Sequence, residues 1–196
     1  GVRISRPPSA MSNNSLTLAN ATVEGRNGAA IVVDTGISAK IDVLNNSTLQ
    51  GKDNQLLLVQ GASTANMTVA NSTLKGNVNA TGGSTANLTF DAGHMVGDVV
   101  KVDDASTTSV TLQNGSTLTG RLDKANGVTI NSGSSWTLAG NDSVGTLAMN
   151  DGRVNFGAAG APATYYQLNV GTLAGTGVFA MKGNFATGDH DLLNVT

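Results

Sequence analysis

The stretch Asn66-Met-Thr-Val-Ala-Asn-Ser-Thr-Leu-Lys-Gly76 decides the fold, because close variants of it recur along the chain. In it Met67 and Val69 flank the polar Thr68, a period of two that puts both apolar residues on one face of a strand and the threonine on the other. The first apolar position is filled in turn by Leu16, Ile41, Met67, Leu88, Val110, Val128 and Leu147. The position two residues on is Leu18, Val43, Val69, Phe90, Leu112, Ile130 and Met149. Next comes a polar corner, Asn71-Ser72 here and Asn20-Ala21, Asn114-Gly115, Ser132-Gly133 or Asp151-Gly152 elsewhere. Such residues tolerate left-handed backbone and bond their own main chain, so the strand must bend.

A third apolar column follows each corner: Val23, Leu49, Leu74, Met95, Leu118, Trp136 and Val154. In the first five copies a glycine lies two residues further on, at Gly25, Gly51, Gly76, Gly97 and Gly120, and apolar segments at 30–33, 55–59 and 99–102 add another strand. The copies lie eighteen to twenty-six residues apart, within the range of solenoid repeats. Like residues recur in every copy and not in alternate ones, and the same corner chemistry follows the same strand each time. Coils that wind in one direction meet both conditions; a hairpin meander does not. The pattern predicts an all-β fold, a right-handed parallel β-helix whose columns are ladders of stacked side chains. A leucine-rich repeat would need a helix-forming half, which is missing.

Composition agrees with thin coils filled by aliphatic side chains: aromatics are 4% and charged residues 12%. The net charge of −2, with scattered Lys and Arg, lacks the basic stripe that nucleic-acid binding needs. No apolar run is long enough for a membrane-spanning helix, so stable membrane insertion is not expected of this stretch. There is no cysteine. In an exported protein of low charge, that suits a chain kept unlinked and extended during secretion.

The chain divides into a linker-like or irregular start at 1–12, containing Arg6-Pro7-Pro8-Ser9, then coils over 13–157, then a last coil and the start of a cap over 158–196. The small-residue run 158–163 marks the last boundary. No signal peptide is visible at Gly1, which suggests a piece of a longer precursor.

Candidate sites are few. Residues 171–177 are glycine-rich, but a phosphate loop must open a helix, and Val178-Phe179-Ala180-Met181 reads as strand. Asp91, His94 and Asp98, or Asp189, His190 and Asp191, lack the spacing of a metal site, and the calcium-binding nonapeptide repeat is absent; no cofactor is expected. Asp103, Asp104 and Asp123 lie roughly one coil apart and could meet, as acid-base chemistry on a polysaccharide would require. No Gly-x-Ser-x-Gly elbow accompanies them. The Asn-x-Thr triplets, such as Asn66-Met-Thr68 and Asn87-Leu-Thr89, follow from the repeat's own preferences. Loops can vary without disturbing the ladders, so the candidate protein-binding residues are Arg26, Asn27, Lys52, Asp53, Asn54, Ser63 and Thr64.

Leu147-Ala-Met149, Gly152-Arg-Val154-Asn-Phe156, Leu168-Asn-Val170, Leu173-Ala-Gly175-Thr-Gly177-Val-Phe179 and Asp191-Leu-Leu193-Asn-Val195 follow Trp136 in fixed order. This run, about 128–196, resembles the C-terminal part of pertactin-like autotransporter passengers. The resemblance implies a β-helical stalk exported through the precursor's own C-terminal β-barrel translocator, with the last coils and cap acting as an intramolecular chaperone. It implies display at the bacterial cell surface, or release, and a virulence-associated role as an adhesin or in immune evasion. The partner would be a host protein: a cell-surface receptor, a matrix protein or a serum complement regulator. A polysaccharide-active enzyme and a passive stalk remain the alternatives.

Overall fold

The computed structural model describes residues 1–5, 14–160 and 164–196. The linker motif Arg6-Pro7-Pro8-Ser9 and residues 161–163 of the small-residue break lie outside the described residues. The described chain is a parallel β-helix with three faces and no α-helix, only a 3-10 turn at Lys52–Asn54.

The first face stacks Asn14–Ala19, Ser38–Leu44, Thr64–Ala70, Thr85–Asp91, Thr107–Gln113 and Ala125–Asn131, followed by the first halves of Asp142–Asn155 and Gln167–Ala180, and then Leu192–Val195. Every pairing is parallel, and the register joins Leu16 to Ile41, Met67, Leu88, Val110, Val128 and Leu147 in one unbroken ladder. Leu18, Val43, Val69, Phe90, Leu112, Ile130 and Met149 form the next ladder. These side chains fill the interior, and from Ile41 and Val43 onward all are buried. Each fully buried aliphatic side chain contributes roughly 1.5–3 kcal/mol gross.

The second face carries the third column: Leu74, Met95, Leu118, Trp136 and Val154 are paired in sequence, and Val23 pairs with Leu49. Trp136 fits this narrow interior because its indole N–H donates to the Gly120 carbonyl at 3.0 Å, leaving no buried donor unpaired. Past this point the first corner flattens. Asp142–Asn155 and Gln167–Ala180 each run through it as one strand of 14 residues and join the two faces into one sheet.

The third face comprises Val2–Ser5, Ile31–Asp34, Gln55–Val59, Asn77–Ala80 and Val99–Lys101. Two of these strands were not expected. Val2–Ser5 falls in the stretch 1–12 that reads as linker-like or irregular, yet it pairs in parallel with Ile31–Asp34, Val2 opposite Ile31, and Ile4 packs on the core. Its apolar-polar-apolar triplet Val2-Arg3-Ile4 is one rung of the period-two pattern, stabilised by a ladder whose other strand lies some thirty residues away. Asn77–Ala80 is masked in the sequence by its asparagines, although Val78 and Ala80 point inward and are buried.

The glycine column has a steric cause. Gly76, Gly97 and Gly120 have φ of 136°, 147° and 155°, and each sits on the coil before. A Cβ on Gly97 would lie 2.0 Å from the Gly76 carbonyl oxygen, and one on Gly120 1.9 Å from that of Gly97. Only glycine lets the coils close to hydrogen-bonding distance at this corner.

Candidate functional site

The corner that Gly76, Gly97 and Gly120 turn with a single residue is occupied in the first two coils by real loops. Residues 26–30 lie above Lys52–Asn54, tied together by the Lys52 amide donating to the Gly28 carbonyl (2.9 Å) and the Ala30 amide to that of Gln55 (3.0 Å). Asp53 and Asn54 adopt left-handed backbone, φ 53° and 59°, which turns their side chains outward. Arg26, Asn27, Lys52, Asp53 and Asn54 are thus gathered on one edge, all exposed. Arg26 reaches Glu24 at 3.3 Å, a solvent-exposed pair that fixes little. A shallow groove of about 500 Å³, lined in part by Arg3, Glu24, Arg26 and Asn27, runs beside it.

Ser63 and Thr64 do not join this cluster. They lie at the corner between the third and first faces, and Ser63 is only 1% exposed. Its hydroxyl accepts the amides of Gly36 (3.0 Å) and Ile37 (3.4 Å), and its own amide donates to Ser84 Oγ (3.2 Å). Ser84 in turn donates its amide to Ser106 Oγ (3.1 Å). At a bend where backbone amides lose their ladder partners, a short hydroxyl supplies the missing acceptor. Ser63 is therefore part of the frame, not a surface group. Thr64 opens a strand and pairs between Ser38 and Thr85. A second serine series at the first corner works the same way: Ser47 accepts from Ala21, Ser116 from Gly93, and Ser134 from Ser116.

The aspartates considered for catalysis are placed differently. Asp103 accepts the Gly82 amide (2.6 Å) together with the amide and hydroxyl of Ser106. The Gly82 bond, outweighing the desolvation that opposes it, holds its carboxyl below the usual carboxylate range. Asp123 pairs with Arg121 at 3.2 Å, and Asp104 is exposed. In the other two sets, Asp91 accepts from Gln113 and Asn114, His94 bonds Thr117, and Asp98 accepts the Arg121 amide. Asp189 takes the Thr187 hydroxyl, His190 faces the Gly188 carbonyl, and Asp191 lies buried on the amides of Tyr166 and Lys182.

Sequence reasoning missed one buried carboxylate entirely. Asp142 is 4% exposed, and burial raises its pKa to about 6 against the pull of the Leu122 and Ser143 amides and of Arg121, with Asp123 adding to the rise.

The family model described as pertactin matches residues 144–196, a narrower span than the 128–196 of the sequence resemblance. The BrkA autotransporter of Bordetella pertussis is 34% identical over 104 residues, covering 53% of this chain and 10% of its own length. The autotransporter adhesin/invasin TibA of Escherichia coli O78:H11 is 32% identical over 107 residues, 48% of this chain and 10% of its own. The chain resembles a pertactin-like autotransporter passenger, most specifically over residues 144–196. The pertactin-matched part contains most of the two long joined strands, the hairpin around 183–190 and Leu192–Val195. The chain spans about a tenth of the length of these curated relatives. No solved structure matches the chain.

Proposed function

We propose that this segment belongs to a passenger displayed at the bacterial surface or released from it, and that it binds a host protein through the loop pair at 26–30 and Lys52–Asn54. One observation carries the reading: a corner that costs one glycine in later coils is built out here into two hydrogen-bonded loops bearing five exposed polar residues. Extra chain that the stack does not need is where contact residues accumulate. Arg26, Lys52 and Asp53 offer both signs of charge, which suits a protein surface better than a polyanion. The naming of TibA as an adhesin/invasin supports a contact role of this kind. Adhesion to a receptor or matrix protein and recruitment of a serum complement regulator both fit, and export through a C-terminal barrel in the precursor belongs to the same reading.

The test is capture from human serum and from epithelial-cell extract, followed by surface plasmon resonance with each captured protein. Saturable binding that is lost when 26–29 and Lys52–Asn54 are shortened to the single-glycine corner supports the proposal. Binding that survives this exchange, or an empty capture from both sources, overturns it. Substituting Asp103, Asp104 and Asp123 by Ala should leave binding unchanged.

A further inference from the structure

Far from those loops, a groove of about 370 Å³ opens where Gln167–Ala180 begins, between residues 165–167 and the hairpin 183–190. We propose that it binds a neutral saccharide, one or two sugar rings in extent. The volume lies at the lower end of the range for small-ligand clefts.

The lining has the mixed chemistry that a polyol requires. Both tyrosines of an aromatic-poor chain are here. One face of Tyr166 is covered by the Lys182 ammonium, 5.5 Å from the ring centre and itself donating to the Thr164 carbonyl at 2.7 Å. Tyr165 has no cation or ring contact among the described residues, so its ring is the one available as a platform for the apolar face of a sugar. Around it the polar atoms are sorted by their existing bonds. His190 Nδ1 lies 2.9 Å from the Gly188 carbonyl oxygen, which only a donor can face, so in the neutral ring Nε2 is an acceptor. Asn141 accepts the Gln167 amide with its Oδ1 at 2.9 Å, which leaves its NH₂ as donor. Gln167 donates from Nε2 to Asn169 Oδ1 at 2.9 Å, leaving Oε1 as acceptor. Asp189 takes the Thr187 hydroxyl on Oδ2 and keeps Oδ1.

Hydroxyl groups, each at once donor and acceptor, match this set. A phosphate, sulfate or uronate does not, because Asp189 is the charged side chain of the lining and Lys182 lines a different groove on the far side of Tyr166. The site is also preorganised. Buried Asp191 holds the Tyr166 amide (2.7 Å) and the Lys182 amide (2.6 Å), Leu192 donates to the Tyr166 carbonyl (2.9 Å), and the hairpin closes with the Asn184 amide on the Asp189 carbonyl (2.7 Å).

The experiment is a ¹⁵N-resolved NMR titration of this chain with lactose, N-acetyllactosamine, maltotriose and cellotriose, with a heparin tetrasaccharide as the charged comparator. The expected result is saturable shifts with at least one neutral sugar, confined to 141, 165–167 and 188–192. Tyr165→Ala should weaken that sugar about tenfold with an unchanged thermal midpoint, while Asn27→Ala titrates like the parent. No saturable shift with any neutral sugar, shifts with heparin alone, or a Tyr165→Ala chain that binds like the parent overturns the proposal. Loss of host-protein capture in the loop exchange leaves these shifts in place, so the two readings fail separately.

Discussion

Asp142 accepts the backbone amide of Leu122 at 2.5 Å across two successive coils. The third face ends at Val99–Lys101, whose amides still find the carbonyls of Arg121 and Asp123, but no strand follows to receive the amide of Leu122. The carboxylate takes that place and accepts the Ser143 amide at 2.8 Å as well. Asp191 does the same two coils later for Tyr166 and Lys182.

The position of Asp142 makes stability depend on pH in a definite direction. Burial lifts its folded pKa from 3.8 to about 6, so between these values the folded state binds the extra proton and stability falls as pH rises. The change should be on the order of 2–3 kcal/mol across the window. Urea unfolding at pH 4 and 6.5 checks it against Asp142→Asn, whose stability should change less over the same interval. A gap between the two proteins that stays constant from pH 4 to 6.5 would refute the assignment.

Asp34 and Asp103 have the opposite sign. Asp34 is held below the usual range first by the Gln60 side chain, and Asp103 first by the Gly82 amide. Their contribution is present above the ordinary carboxylate pKa and disappears as pH falls through the lowered one, so stability should pass through a maximum in mild acid. Asp34→Asn and Asp103→Asn should flatten its acid limb and leave the limb above pH 4 unaltered.

Gly97→Ala should destabilise strongly. The left-handed backbone alone costs roughly 1–3 kcal/mol for a non-glycine residue, and the Gly76 carbonyl at 2.0 Å from the new Cβ forces the coils apart. Gly28→Ala is the control, since nothing lies within 4 Å of its Cβ. Thermal unfolding by circular dichroism should separate the two by several degrees, with Gly28→Ala near the parent.

Phe90→Ala should cost about 3–5 kcal/mol. The ring is 1% exposed and stands between Val69 and Leu112 in the interior ladder, where rigid coils on both sides cannot collapse into the space. An unfolding free energy within 1 kcal/mol of the parent (~1 kcal/mol being an ordinary substitution) would contradict the packing described.

Ser116→Ala should cost about 1–3 kcal/mol although it removes a single oxygen. That oxygen accepts the buried Gly93 amide at 3.1 Å and donates to the Gln113 carbonyl at 2.6 Å, so its loss orphans a buried donor. Hydrogen exchange should speed up at Gly93 and leave Val128 unaffected.

The interior was legible in the amino-acid sequence because a parallel stack repeats a local rule. Met67, Leu88 and Val110 occupy equivalent places in successive coils, and period two within each triplet says which side chain turns inward. The C-terminal motif from Leu147 to Val195 was legible for a different reason, its order and spacing, and it coincides with the pertactin match. What tertiary structure alone decided is the role of the polar residues. Ser63 looked like a loop residue and is a buried acceptor, because the amides it satisfies, Gly36 and Ile37, arrive from the preceding coil. Asp142 and Asp191 carry no mark in the local pattern and are buried acceptors, because they take the amides of Leu122 and Tyr166 that lie 20 and 25 residues earlier in the chain. Local pattern determines which side chains are apolar and face inward; only the stacking of distant coils determines which polar group meets which unpaired amide.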